Sequence, residues 1–319
     1  MEMKIGNTPM IKIYYKFQDK EKYIYVKLEY YNFTGSIKDR VAYYIINESY
    51  KTGKLVKGQE IVEATSGNTG ISLAAIGAYY KHPVHIFMPD WMSEERLKIM
   101  KMYNAKVTLV SKKDGGFRKA LEVARKYAKE NNAFLSNQFA NTYNTLAHYE
   151  TTGKEIVDAL NGNIGGFVSG IGTGGTLMGV GRRIKVANTH AKVYALEPEK
   201  MPLLSKNMII GNHKIEGIGD DFVPALVDKR IIDKVFLIND DDAINMSRLI
   251  AIKLGIGVGI SSGANFIASV IANERNFGNI VTVFVDDNKK YLSTELSKQV
   301  DKNRNFWSNH IALVGFDFM

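Results

Sequence analysis

Along this chain a short apolar run, a glycine-rich turn and a helical run follow one another repeatedly. Glu60–Ala64 reads as a strand, Ser66-Gly67-Asn68-Thr69-Gly70 as the turn after it, and Ile71–Tyr79 as an apolar helix. Gly166–Ser169, the turn Gly172-Thr173-Gly174-Gly175-Thr176 and the helix Leu177–Ile184 repeat the pattern. Further strands are expected at Tyr23–Leu28, Val84–Met88, Val107–Val110, Lys192–Leu196 and Ile280–Val285, and further helices at Arg40–Lys51 and Phe117–Asn131. Ser93 offers a cap for another helix, although Arg96 stands where a capping box wants Glu. Parallel neighbours cannot be joined by a tight hairpin; they need a crossover, which a helix supplies. The pattern therefore predicts an α/β fold with mainly parallel sheets covered by helices. No internal repeat or low-complexity linker is seen, and with only 6 prolines the composition marks no domain boundary.

The chain has 319 residues, enough for about two domains with sizeable cores. Its net charge is +9, but Lys and Arg alternate with Asp and Glu and form no basic block, so no nucleic-acid partner is expected. A basic surface that attracts anionic ligands is the reading adopted. With no cysteine, disulfides and thiolate metal sites are excluded, and no metal is expected. No run reaches the roughly 18 apolar residues of a membrane span. Met1–Pro9 carries no apolar core of signal-peptide length. A cytoplasmic protein is expected.

Three turns carry chemistry. Thr34-Gly35-Ser36-Ile37-Lys38-Asp39-Arg40 puts a lysine after a glycine-serine turn and before a helical run. A desolvated amine there is pushed away from its ammonium form and can condense with a carbonyl as a Schiff base. A solvated surface lysine is the plainer reading. In Ser66–Gly70, backbone N–H groups at a helix start favour an anion, with Asn68 and Thr69 adding side-chain hydrogen bonds. A tight turn with a left-handed Asn explains that segment equally well. In the third turn, hydroxyls of Thr173 and Thr176 among Gly172, Gly174 and Gly175 suit a phosphate cradle. The same region satisfies G-x-G-x-x-G at Gly170, Gly172 and Gly175, with Glu197 ending the next strand, so an NAD-dependent dehydrogenase stays open. That alternative leaves Lys38 and Asn68 without a task. Gly259-Ile260-Ser261-Ser262-Gly263 is a further small-residue turn before a helix, where Ser261 serves either a ring nitrogen or a helix cap.

Taken together these segments resemble the cysteine synthase and cystathionine β-synthase family of pyridoxal-phosphate enzymes (fold type II, tryptophan synthase β-like). The resemblance runs through Ile5-Gly6-Asn7-Thr8-Pro9, the Lys38 segment, Glu63–Gly70, Met88-Pro89, Met92–Arg96, Gly172–Thr176, Glu216-Gly217-Ile218-Gly219 and Gly259–Gly263, nearly the whole chain. It implies two doubly wound lobes: a smaller one at 36–148, inserted in a larger one made of 1–35 and 149–319. It implies pyridoxal 5'-phosphate joined to Lys38, its phosphate in Gly172–Thr176, its ring hydroxyl on Asn68 and its pyridine nitrogen on Ser261. Thr65, Ser66, Asn68 and Thr69, helped by Gln138, would grip the carboxylate of a small amino-acid substrate. A homodimer is implied, and no room is expected for the haem-binding or regulatory extensions of animal cystathionine β-synthases.

The implied reaction is β-elimination or β-replacement. Lys38 removes the α-proton, the β-substituent leaves, and a nucleophile adds at the β-carbon. A neutral Ser261 beside the pyridine nitrogen implies a weaker electron sink than an aspartate would give, favouring elimination over transamination. One departure bears on the substrate. After Gly-Ile-Gly, cysteine synthases typically have small neutral residues, whereas this chain has Asp220 and Asp221. Cystathionine β-synthases typically have an aromatic and then an aspartate there, so Asp221 resembles theirs. A carboxylate at the mouth would repel acetate or bisulfide, or would accept a proton from water or a thiol; a solvated pair of turn aspartates is the alternative. The expectation is that cysteine or serine, not O-acetylserine, is the preferred donor, with Asp221 or its neighbour assisting water or thiol. Cysteine would then release hydrogen sulfide, with serine or a thioether such as lanthionine or cystathionine as co-product. O-acetylserine sulfhydrylase (cysteine synthase) is the alternative. Serine and threonine dehydratases read Ser-Ser-Gly-Asn-His where this chain has Thr65–Thr69, and a non-catalytic binding module has no use for Lys38.

Overall fold

The computed structural model describes residues 3–275, 278–298 and 305–319. Among them the strands are β1 (Met10–Phe17), β2 (Lys20–Leu28), β3 (Ile61–Ala64), β4 (Val84–Pro89), β5 (Lys106–Val110), β6 (Phe134–Leu135), β7 (Gly166–Gly170), β8 (Lys192–Pro198), β9 (Lys234–Ile238), β10 (Ile280–Phe284) and β11 (Ile311–Phe318). The α-helices are α1 (Lys38–Lys51), α2 (Asn68–Tyr80), α3 (Glu94–Met102), α4 (Gly116–Glu130), α5 (Thr142–Ala147), α6 (Gly153–Ala159), α7 (Gly175–Ala187), α8 (Leu203–Lys206), α9 (Asp240–Leu254) and α10 (Ile260–Asn273).

The strands form two sheets, of order β11-β1-β2-β10-β7-β8-β9 and β5-β4-β3-β6. Every pairing is parallel except β1 with β2 and β1 with β11. The fold is α/β with mainly parallel sheets. Parallel strands are covered on both faces and so lose the polar–apolar alternation. Ile61–Ala64, Val84–Pro89 and Ile280–Phe284 are buried at every position, the charged Glu63 included. The covering helices show their surroundings in sequence. α2 is apolar nearly all round and lies buried from Thr69 to Gly77. α4 turns only a narrow stripe, Ala120, Ala124 and Ala128, onto the sheet and exposes its lysines and arginines.

The antiparallel edge was outside the expectation. β1 and β2 meet at Gln18 and Asp19, both with positive φ (49° and 61°), the geometry of a two-residue hairpin without its usual glycine. β11 pairs with β1, with Tyr14 opposite Gly315. β6, β9, α5, α6, α8 and α9 were also unanticipated. Ser93 precedes α3, but its hydroxyl donates to the Lys290 carbonyl (2.8 Å) instead of capping the helix.

A buried charge cluster fastens α1 to the seven-stranded sheet. Arg40 donates to both oxygens of Glu29 (2.7 and 2.8 Å) and of Glu155 (2.6 and 2.8 Å). Lys27 pairs with Glu155 at 2.7 Å, and Thr8 donates to Glu29 at 2.7 Å. Burial alone would raise the Glu155 carboxyl, but Arg40 and Lys27 pull it down to about 2. Two cations face two anions here, so removing one member strands a buried charge. Arg40→Met should lower unfolding stability by roughly 3–5 kcal/mol, measured by urea denaturation followed by circular dichroism. A loss below about 1 kcal/mol would mean that the cluster is solvated and adds little.

Candidate active site

The turns at the carboxyl ends of β3, β7 and β10 are brought together, the usual crevice of an open parallel sheet. Lys38 is the first residue of α1, and its turn is tied to the end of β10 by the Ile37 N–H donating to the Val285 carbonyl at 2.9 Å. Its neighbour Asp39 is fully buried and accepts from the Thr34 N–H (2.6 Å), the Thr34 hydroxyl (2.5 Å) and the Ser72 hydroxyl (2.6 Å). Asp39 and Arg40 are thus both anchored, and the lysine just before them lines a narrow cavity of about 30 Å³. Burial pushes the Lys38 amine down to about 8, against the opposing pull of Asp286 and Asp220.

The same cavity is lined by Gly172, Thr173, Gly174, Thr176 and Ser261. The first four form the turn that opens α7. Gly174 has φ +84°, and a Cβ on Gly172 would lie 2.3 Å from the Gly217 carbonyl oxygen. One on Gly175 would lie 1.9 Å from Asn144 Oδ1. The Asn144 amide donates to the Thr173 hydroxyl at 2.9 Å, and Thr176 bonds His148 Nε2 at 3.2 Å. His148 is wholly buried, and burial, with Lys38 and Arg40 nearby, holds it well below its ordinary pKa and so uncharged. Ser261 is the second residue of α10 and does not cap it. Glu197, the acid of the dinucleotide reading, is taken up by the Leu204 and Ser205 N–H groups at 2.8 and 3.0 Å, which removes that reading's ribose partner.

The Thr65–Thr69 loop starts α2. The Thr65 hydroxyl accepts from the Gly67 N–H (3.1 Å), and the Thr69 hydroxyl donates to Gln138 Oε1 (2.6 Å). Gln138 in turn donates to the Ala64 carbonyl at 3.0 Å. Ser66 faces an outer cleft of about 870 Å³, which also borders Gly217, Ile218, Asp220 and Asp221. Beneath the loop lies Glu63, which the sequence reading did not single out. Burial pushes it up to about 7, although Ser136, the Gln138 N–H and the Ala64 N–H all donate to it.

The two aspartates of the Gly219–Phe222 loop face different ways. Asp221 is half-exposed and pairs with Arg118 of α4 (2.7 Å), which also donates to the Asp221 carbonyl (2.6 Å). Asp220 is half-buried on the outer cleft, close enough to Lys38 for their charges to interact. Burial and the charge of Asp221 push its carboxyl up to about 7, with Lys38 opposing. The loop is further fastened by Phe222, which stacks on Phe117 and meets Phe139 edge-on, and by an ion pair between Glu216 and the buried Arg96.

These residues fit pyridoxal phosphate. A glycine-walled turn at a helix N-terminus receives a phosphate, an amine near neutrality stands in the same cavity, and the buried Asn68 Oδ1 and Asn144 Oδ1 have no hydrogen-bond partner. A methyl group at Gly175 fills that turn, so Gly175→Ala should weaken cofactor retention at least about tenfold, since the Cβ would strike Asn144. Equilibrium dialysis against pyridoxal phosphate measures it. Unchanged retention would show that the phosphate sits elsewhere.

Comparison with known proteins agrees with this site. The family model for pyridoxal-phosphate dependent enzymes matches residues 1–286. A cysteine synthase from Staphylococcus aureus is 39% identical over 295 residues, covering 92% of this chain and 94% of its own. The crystal structure of a hydrogen sulfide-producing enzyme from Fusobacterium nucleatum superposes with a TM-score of 0.93 at 48% identity, covering 97% of this chain and 94% of its own. An aspartate-to-asparagine mutant of the hydrogen sulfide-producing enzyme, in complex with an α-aminoacrylate intermediate, gives a TM-score of 0.95 at 47% identity, covering 97% of this chain and 95% of that one. The chain belongs to the pyridoxal-phosphate dependent enzymes, as a cysteine synthase-like member that carries out β-elimination and β-replacement.

Proposed function

We propose that cysteine is the preferred donor, that its sulfur leaves as hydrogen sulfide, and that water or a thiol adds at the vacated β-carbon. One observation carries this reading: Asp220 borders the cleft that adjoins the Lys38 cavity, the two sharing Gly217 and Ile218, and its carboxyl feels the charge of Lys38. With water the balance is cysteine plus water to serine plus hydrogen sulfide; one C–S bond breaks and one C–O bond forms. The bound cofactor supplies the electron sink for the α-carbon. Lys38, with a pKa lowered to about 8, accepts the α-proton. The Thr65–Thr69 loop, with Gln138, receives the substrate carboxylate at the N-terminus of α2. Asp220, at about 7, then accepts the proton of the attacking water or thiol. A negative carboxylate in that place disfavours acetate as a leaving group and bisulfide as an entering one. Asp221, engaged by Arg118, is the weaker candidate for this task. Similarity to hydrogen sulfide-producing enzymes supports the reading. Similarity to a cysteine synthase supports the second one, O-acetylserine sulfhydrylase. The same proposal takes the chain as a cytoplasmic homodimer with its lobes divided at 36–148; no helix among the described residues is long and apolar enough to cross a membrane.

Product analysis tests it. Serine formation from cysteine should rise with pH through about 7, as the Asp220 carboxyl loses its proton. Asp220→Asn should abolish that rise and slow serine formation roughly 10²-fold or more, with first-turnover sulfide release kept. Asp221→Asn should cost less than about tenfold, the scale of a surface ion pair. Serine formation undiminished in Asp220→Asn, or O-acetylserine plus sulfide turned over faster than cysteine, would overturn the proposal.

A further inference from the structure

Asp286 follows β10 and belongs to none of the motifs above, yet the cofactor turns converge on it. Its backbone bridges to Ser36, two residues before Lys38, and its carbonyl accepts the Gly259 N–H at 3.1 Å, two residues before Ser261. Its side chain is fully buried. Oδ2 accepts from Asn68 Nδ2 and from the Tyr291 hydroxyl, both at 2.7 Å. Oδ1 has no hydrogen-bond partner and points at Gly259, where a Cβ would come within 2.1 Å of it. A buried carboxylate with one oxygen unsatisfied is costly for stability alone, and such groups concentrate at functional sites.

We propose that Asp286 is a positioning residue of the cofactor site. It fixes the amide of Asn68 by engaging one of its two N–H donors, and its charge favours the protonated form of the lysine–cofactor linkage. This goes beyond the choice of donor substrate and does not depend on it. The opposing pull of Asp286 on the Lys38 amine accords with it. Other groups share the neighbourhood and must be counted. Asp220 faces Lys38 from the Gly219–Phe222 loop, and His148 faces it uncharged from the turn after α5. Tyr291 faces Asp286 from the segment after β10, with Asp287 close by and the Arg96 guanidinium 4.5 Å from the Tyr291 ring centroid.

The test is a pH titration of the visible absorption of the cofactor-loaded protein, which reads the linkage without substrate. In Asp286→Asn the midpoint should fall by at least one pH unit, a tenfold change in the protonation equilibrium. In Tyr291→Phe the carboxylate loses a donor, its charge is less compensated, and the midpoint should move the other way. Asp220→Asn in the same titration separates the contribution of the loop carboxylate. A folded, loaded Asp286→Asn protein whose midpoint stays within a few tenths of a unit would overturn the proposal. Should that variant not fold, a Tyr291→Phe midpoint that is unchanged or lower would overturn it instead.

Discussion

Everything at this site depends on where one amine is held. Lys38 directly precedes two anchored residues: Asp39 is bound by three donors and Arg40 by two carboxylates, all largely buried. A long flexible side chain has about 2 kcal/mol of rotamer entropy to lose when it is ordered. The backbone before it is held too, by the Ile37 N–H on the Val285 carbonyl, so only that side chain is left to be ordered. Burial then weakens its positive charge, and two nearby carboxylates temper the effect. The amine that results is nucleophilic near neutral pH without being starved of protons.

The loop bearing Asp220 completes the site from the other side. It crosses from the seven-stranded to the four-stranded unit, joined there by Arg96, Arg118 and the phenylalanine cluster. Arg96 also packs against Gly67, where a Cβ would fall 2.0 Å from its Cδ. One guanidinium therefore touches both the loop that would grip substrate and the loop that would deliver the base. The pairing of Asp221 with Arg118 does more than add an exposed ion pair. It holds the Asp221 carboxylate on Arg118, leaving Asp220 as the aspartate that feels the charge of Lys38.

Much of this was legible in the residues. Gly172–Thr176 announces itself because close backbone approach needs glycine, and the 1.9 Å conflict at Gly175 shows how tight that need is. Buried strands such as Val84–Pro89 and Ile280–Phe284 stood out as apolar runs, each interrupted by a single polar residue, His85 and Thr282. Other parts had no local signal. The β1–β2 hairpin turns at Gln18 and Asp19 without a glycine. Asp286 sits in Val285-Asp286-Asp287-Asn288, which reads as a solvated turn until the fold brings Asn68 to it from 218 positions away. The orientation of Asp220 and Asp221 follows from Arg118, 103 positions earlier in the chain. Neighbouring loop residues have no periodicity to tell them apart, so only the tertiary contact decides.

The antiparallel seam formed by β1 and β11 bears on how the chain acquires its shape. Residues 10–28 lie between partners at 280–284 and 311–318 in the same sheet. During synthesis the first hairpin must therefore wait, one face uncovered, while nearly the entire polypeptide emerges. The four-stranded sheet draws all its strands from 61–135 and can close on itself much earlier. Non-local pairings of this kind form slowly and leave apolar surface open to aggregation in the meantime. A ribosome-bound or C-terminally shortened form would thus be well ordered around α2 and poorly ordered around the turn that carries Lys38, leaving that amine displayed only once the two ends have met.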